Sequence, residues 1–187
     1  MIKIGITGSL SSGKSTVAKL MSKGKYPVFN ADSTVANLYK KKDFIKKIKR
    51  KFNIKNSKNI KKEIKNLVKQ DKKNIRKLEL IIHPLVRKKM RALMLSKKNR
   101  KLLIFDIPLL IESKLMKYFD IIVFVHAKRK LRLKRYLYKK GNKKIFTILN
   151  KRQIMPSKKI KISDHVIYNN SSLKVLKKNV KFLVNKL

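Results

Sequence analysis

Residues 8–15 carry the strongest chemical signal in the chain. Gly8-Ser9-Leu10-Ser11-Ser12-Gly13-Lys14-Ser15 fits the spacing G-x-x-x-x-G-K-[ST] at every required position, and Thr16 follows. Glycines at the two fixed positions let the backbone curl until successive N–H groups point at phosphate oxygens, and a helix starting at the second glycine adds its positive end. Lys14 then reaches the β- and γ-phosphates, and the Ser15 hydroxyl is a Mg²⁺ ligand. Gly8, Ser11, Ser12, Gly13, Lys14, Ser15 and Thr16 are therefore the candidate ATP-binding residues. A chance Gly-Ser loop would lack the flanking pattern seen here: apolar residues 2–6 (IKIGI) before it and the helical spacing of STVAKLMSK after it. The motif specifies nucleotide phosphate binding and is silent about what receives a phosphate.

A second candidate is Asp32, which closely follows the apolar segment YPVF at residues 26–29. An acid after this strand can accept or orient an acceptor hydroxyl proton in a phosphotransferase. The local sequence equally allows Asp32 and Ser33 merely to cap the next helix. Asp106 closes the continuous apolar run LLIFD, at the end of a predicted strand.

The elements that must position these groups follow from hydrophobic periodicity. Continuous apolar strands are expected at 2–6, 26–29, 102–106 and 121–127, with a short one at 166–168. Apolar runs without alternation imply a parallel sheet covered on both faces. Residues 43–100 carry apolar positions every three or four among lysines and predict several amphipathic helices inserted between strands. The Asn-rich segment at 53–59 marks a break between two of them, and Pro84 suits the first turn of a further helix through LVRKKMRALM. Residues 128–153 predict basic helix interrupted at Gly141, and SLKVLKKNVKFLVNKL predicts a closing amphipathic helix.

The chain has 187 residues, no cysteine and a formal net charge of +44. Disulfides, thiolate metal sites and a thiol nucleophile are excluded. No apolar run is long enough to span a bilayer, and the N-terminal residues lack the pattern of a signal peptide, so a soluble cytoplasmic protein is expected. The charge admits two readings. Clustered Lys and Arg neutralise nucleic-acid phosphates. Here, however, Lys greatly outnumbers Arg, Asn and Ile are also plentiful, and the basic residues are spread along the chain. That is the mark of compositional drift rather than of a bidentate Arg-based reader. No specific nucleic-acid partner is expected, although nonspecific adhesion to RNA at low salt is.

Five segments in order resemble the dephospho-CoA kinase family: IGITGSLSSGKSTVA, NADSTVANLY, HPLVR, FDIPLLIES and SDHVIYNN. The resemblance covers nearly the whole chain. It implies an α/β, three-layer P-loop NTPase fold with a five-stranded parallel sheet, a helical acceptor-binding insertion and a small lid. It also implies one domain over residues 1–187: a core of 1–42, 101–128 and 159–187, a CoA-binding insertion at about 43–100 and a lid at about 129–158. The implied reaction is transfer of the ATP γ-phosphate to the 3′-hydroxyl of 3′-dephospho-CoA, giving CoA and ADP, with Mg²⁺. Carried over residue by residue, Asp32 is the catalytic base, Lys14 contacts the transferring phosphate, and His83 and Arg87 face the acceptor or the phosphates. Pro108, Leu109, Leu110 and Glu112 shape the acceptor site beside the loop, and the resemblance implies that Asp106 acts through a Mg²⁺-bound water, as acids at strand ends do in related folds. For His83 and Arg87 the plain alternative is helix capping and a solvated basic face, and for Leu109 and Leu110 it is core packing.

The chain departs from the family pattern at three places. Asn30 stands where an Asp usually precedes Ala31, Ile111 replaces a Phe, and Leu149 occupies the position of the lid Arg that lies four residues before Gln153. Arg152 is the first candidate to stabilise the transferring charge, with Arg135 and Lys139 as alternatives. Three rival readings remain: another small-molecule P-loop kinase, a nucleic-acid-binding P-loop NTPase, and an inactive relative.

Overall fold

The computed structural model describes residues 1–55, 59–71 and 73–187. Its strands are β1 (Ile2–Gly8), β2 (Val28–Asn30), β3 (Leu102–Asp106), β4 (Ile121–His126) and β5 (His165–Tyr168). They form one sheet in the order β2-β3-β1-β4-β5, and every neighbouring pair is parallel. The helices are α1 (Lys14–Ser22), α2 (Ala31–Leu38), α3 (Lys42–Phe52), α4 (Ile60–Gln70), α5 (Lys73–Ser96), α6 (Arg129–Tyr138), α7 (Lys143–Lys151), α8 (Pro156–Lys161) and α9 (Leu173–Asn185).

The chain divides into two compact units, residues 1–30 with 97–187, and residues 31–96. In the first unit one sheet face presents Ile4, Ile6, Val123 and Val125 to Val17 and Met21 of α1 and to Leu176, Val180 and Leu183 of α9, all buried. Each such side chain contributes about 1.5–3 kcal/mol on burial. On the other face Leu110 and Phe119 pack over Gly5, and Phe105 stacks between Phe29 and Phe119. Both faces are thus covered, as the continuous apolar strands require. Two carboxylates fix strand starts: Asp120 Oδ2 accepts the Lys3 N–H at 2.7 Å, and Asp164 Oδ2 accepts the Ile122 N–H at 2.7 Å.

The second unit buries its own cluster of Leu38, Phe44, Ile48, Ile60, Ile64 and Ile81. The Asn-rich break expected at 53–59 lies partly outside the described residues; Asn53 adopts a left-handed conformation after α3, and the Asn59 side chain caps α4. Pro84 is a correction to the sequence expectation. It sits inside α5, which runs unbroken from Lys73 to Ser96, rather than starting a new helix. Pro84 has no N–H for the Leu80 carbonyl, so one helix hydrogen bond is missing, and the packing of Leu78, Ile81, Ile82, Leu85 and Val86 holds the helix across the gap. No helix among the described residues is long and apolar enough to cross a membrane.

Candidate nucleotide site

The loop between β1 and α1 is held in place by the backbone conformation of Gly13 and by contacts to its carbonyls. Gly13 caps α1 at φ 96°, in the left-handed region, and a Cβ there would lie 2.3 Å from Asn169 Nδ2. A Cβ on Gly8 would lie 2.4 Å from Ser12 Oγ and 2.9 Å from the Val125 carbonyl. Ser9 and Ser12 are buried; Ser12 N–H donates to the Ser9 carbonyl at 3.0 Å. The Ser12 carbonyl accepts from Asn169 Nδ2 at 2.8 Å and from Arg135 Nη1 at 3.5 Å. With carbonyls turned onto the protein, the opposite side of the loop is free to present N–H groups to an anion. Ser15 and Thr16 are exposed at the start of α1.

Lys14 Nζ lies 3.9 Å from Oδ1 of Asp106, whose side chain is only 1% exposed. The other carboxylate oxygen accepts from Asn30 Nδ2 at 2.7 Å. The register makes this contact unavoidable, because Asn30 and Asp106 are direct partners across β2 and β3. The Asn30 departure therefore has a structural use: it donates a hydrogen bond where an ionised Asp would oppose a like charge.

Behind the loop lies a group of polar side chains from α6, α7 and the segments after them. Arg132, 3% exposed, donates from Nε to the Ala127 carbonyl at 3.1 Å and from Nη1 to the Leu10 carbonyl at 3.3 Å and to Asn150 Oδ1 at 2.7 Å. Its guanidinium also stacks over the Phe146 ring. Burial, and secondarily Arg129, lower its pKa, but a guanidinium remains charged. Arg135 Nη2 donates to the Asn169 carbonyl at 3.0 Å. Gln153 Oε1 accepts the Leu10 N–H at 2.9 Å. Leu10 is thus held through both its N–H and its carbonyl.

The remaining sequence candidates fall in different places. Thr7 Oγ1 donates to the carbonyl of Pro108 at 3.0 Å, and Pro108 and Leu109 are half-buried. Leu110 is fully buried under the sheet, a core position. Glu112 Oε1 lies 2.6 Å from the Nζ of Lys159, which is 0% exposed, and accepts the Ile154 N–H at 3.1 Å. Arg152 is exposed at the end of α7, and Lys139 is exposed at the end of α6. Asp32 lies in the first turn of α2, exposed, and His83 and Arg87 lie half-buried on α5; these three belong to the second unit. Among the described residues no cluster of three or more His, Cys, Asp or Glu could hold a metal ion.

Sequence reasoning gave no role to Asn169, Arg132 or Lys159. Arg129, Arg132 and Arg135 do carry a signal: arginine repeated every three residues on one helix of a chain that otherwise uses lysine.

His126 at the end of β4 gives the stability of the fold a pH dependence. Its ring meets Tyr168 edge-on at 5.4 Å, and its buried Nδ1 has no hydrogen-bond partner among the described residues. Burial, then the Arg132 charge, push its pKa below the ordinary 6.5. As pH falls through that ordinary value, the unfolded chain takes up a proton that the folded chain refuses, so stability falls. Thermal melts from pH 7 to 5 should show a steeper loss for the wild type than for His126→Phe. Equal slopes would remove His126 as the cause.

The family model for dephospho-CoA kinase matches residues 2–175. The dephospho-CoA kinase of Fusobacterium nucleatum is 36% identical, with 95% of this chain and 94% of that protein covered. The dephospho-CoA kinase of Bartonella henselae is 33% identical over 98% of this chain and 97% of its own length. Among solved structures, TT1252 from Thermus thermophilus superposes with a TM-score of 0.80 at 29% identity, covering 100% of this chain and 97% of that one. Shikimate kinase from Bacteroides thetaiotaomicron, at 12% identity, a TM-score of 0.57 and coverage of 99% and 97%, shares the fold alone. On the family match across most of its length, together with the phosphate loop and the parallel sheet that carries it, the chain belongs to the dephospho-CoA kinase family.

Proposed function

We propose that the phosphate loop and Asp32 together run the family reaction in this chain. The protein is an ATP-dependent kinase that transfers the γ-phosphate to the 3′-hydroxyl of 3′-dephospho-CoA, giving CoA and ADP. The observation that carries the reading is the complete phosphate loop, with Lys14 held at its mouth by Asp106. Chemistry of this kind is mostly positioning and charge neutralisation. Gly8 and residues 11–16 bind the ATP phosphates, and Lys14 neutralises charge on the β- and γ-oxygens. Asp32 accepts or orients the acceptor hydroxyl proton. His83 and Arg87 serve the acceptor or its phosphates, with Pro108 and Leu109 shaping the acceptor side. Among lid cations, Arg152 is the proposed contact to the transferring phosphate. It is exposed, whereas Arg132 is buried, with 3% exposure.

The donors present suit Mg²⁺. One exposed hydroxyl, Ser15, with one buried carboxylate, Asp106, matches an ion that keeps several waters and takes its other ligands from phosphate. Ser15 would hold the ion and Asp106 would act on it through water. When bound, the ion supplies charge neutralisation to the β- and γ-phosphates. The placement is proposed to be cytoplasmic.

The test is ADP release from Mg·ATP, with and without 3′-dephospho-CoA, at moderate salt. Release that depends on dephospho-CoA, with a mass gain of one phosphate on that acceptor, is the expected result. Stimulation by RNA instead would overturn the kinase reading.

A further inference from the structure

The kinase reading gives no role to Lys159 or Gln153, yet the two residues lie on one connected path to the phosphate loop. Lys159, in α8, is a fully buried lysine whose ammonium lies 2.6 Å from Glu112 Oε1. Among the described residues neither Lys159 Nζ nor the buried Glu112 Oε2 has a directed hydrogen-bond partner, so the contact is an ion pair. A fully buried lysine paired with a partly buried carboxylate, both with unmet hydrogen-bonding capacity, is a poor source of stability, and apolar residues of similar volume would serve the core as well. The arrangement calls for another use.

Glu112 Oε1 also takes the N–H of Ile154, the residue after Gln153. Gln153 in turn accepts the Leu10 N–H inside the loop. From the other side Arg132 holds the Leu10 carbonyl. The segment from Gln153 to Lys159 is therefore pinned at both its start and its finish by the same carboxylate. Its one side-chain bond to the loop sits next to the pinned peptide.

We propose that the Glu112–Lys159 pair is a positioning device: it fixes residues 153–155 so that Gln153 clamps the Leu10 peptide, and the clamp sets how tightly the loop binds ATP phosphates. The pair touches no substrate. It acts through the orientation of the Leu10 peptide, which determines how the N–H groups of the following loop residues are aimed. Glu112 is then a positioning residue and not an acceptor contact. This rests on the loop binding ATP and is independent of which acceptor is phosphorylated.

The experiment compares Gln153→Leu and Lys159→Met with the wild type. It reads Leu10 amide hydrogen exchange, the Kd for Mg·ATP without acceptor, the KM values for ATP and for dephospho-CoA, and the melting temperature. Loss of one hydrogen bond's worth of restraint predicts that both variants raise the Kd and KM for ATP roughly tenfold and speed Leu10 exchange by a similar factor. KM for dephospho-CoA should stay at the wild-type value. A purely structural pair would lower the melting temperature of Lys159→Met and leave Leu10 exchange and ATP affinity untouched, which overturns the proposal. So does a folded Gln153→Leu with wild-type ATP affinity. If Lys159→Met does not fold, Glu112→Gln with Lys159→Met, which leaves no lone buried charge, is measured in its place. Failure of that neutral pair to fold assigns the pair to the fold alone and also overturns the proposal. A wild type that binds Mg·ATP but does not phosphorylate dephospho-CoA refutes the acceptor and leaves the clamp measurable through nucleotide affinity.

Discussion

Asp32→Asn should bind ATP with near-normal affinity and turn over roughly 10²-fold more slowly, or worse. The size of the effect separates the two roles open to this residue. Asp32 lies in the first turn of α2, where a negative charge is stabilised by the helix end. Losing that benefit costs only about 0.3–1 kcal/mol of stability. A hundredfold loss in turnover corresponds to about 2.7 kcal/mol in the barrier, beyond what a helix-end charge supplies. Asn keeps the shape and the capacity to accept a hydrogen bond, so a fall in kcat with unchanged ATP affinity isolates proton acceptance. Near-normal turnover would return Asp32 to the role of a helix-start residue. The measurement is steady-state kinetics with saturating dephospho-CoA, alongside an ATP titration.

Lys14→Ala should lose most activity, by roughly 10²- to 10³-fold or more, through both ATP affinity and turnover. Lys14 is the loop's one side-chain cation, and its Nζ stands 3.9 Å from Asp106 Oδ1. Truncation therefore removes two things at once: the charge on the β- and γ-phosphates, and the cation beside a carboxylate that is 1% exposed. The second loss lowers stability, because a buried charge is left with less compensation. Melting temperature must accordingly be measured with the kinetics. A folded Lys14→Ala enzyme that keeps substantial activity would falsify the phosphate-loop assignment.

The sequence made the loop legible because its requirement is local. Two glycines, a lysine and a hydroxyl at fixed spacing sit between a strand and a helix that periodicity reveals. The parallel sheet was legible for a similar reason, since β3 and β4 read as unbroken apolar runs. What supports the loop was not legible, because it is a matter of tertiary contact. Asn169 lies far along the chain from Ser12, and nothing local marks it except its place in the SDHVIYNN segment. Lys159 could not be told from its neighbours in a chain with 53 Lys and Arg, although its side chain is fully buried. In so basic a chain the informative residues are the rare ones. Of nine acids, Asp106, Asp120, Asp164 and Glu112 each hold a named partner in the first unit. Pro84 misled in the opposite direction: a residue that usually starts a helix is tolerated within one whose apolar face is packed on either side of it.

The strand order bears on how the chain is made. β1 occupies the middle of the sheet, yet its two neighbours are β3 and β4, encoded after residue 101. On the ribosome β1 is made before either neighbour and waits for partners until residues 102–126 have followed it. Residues 31–96, with a cluster of their own, can collapse during that interval. Long-range parallel pairing is slow and leaves strand edges open to wrong partners. β1, unpaired while residues 31–96 are translated, is therefore exposed to wrong pairing throughout that interval.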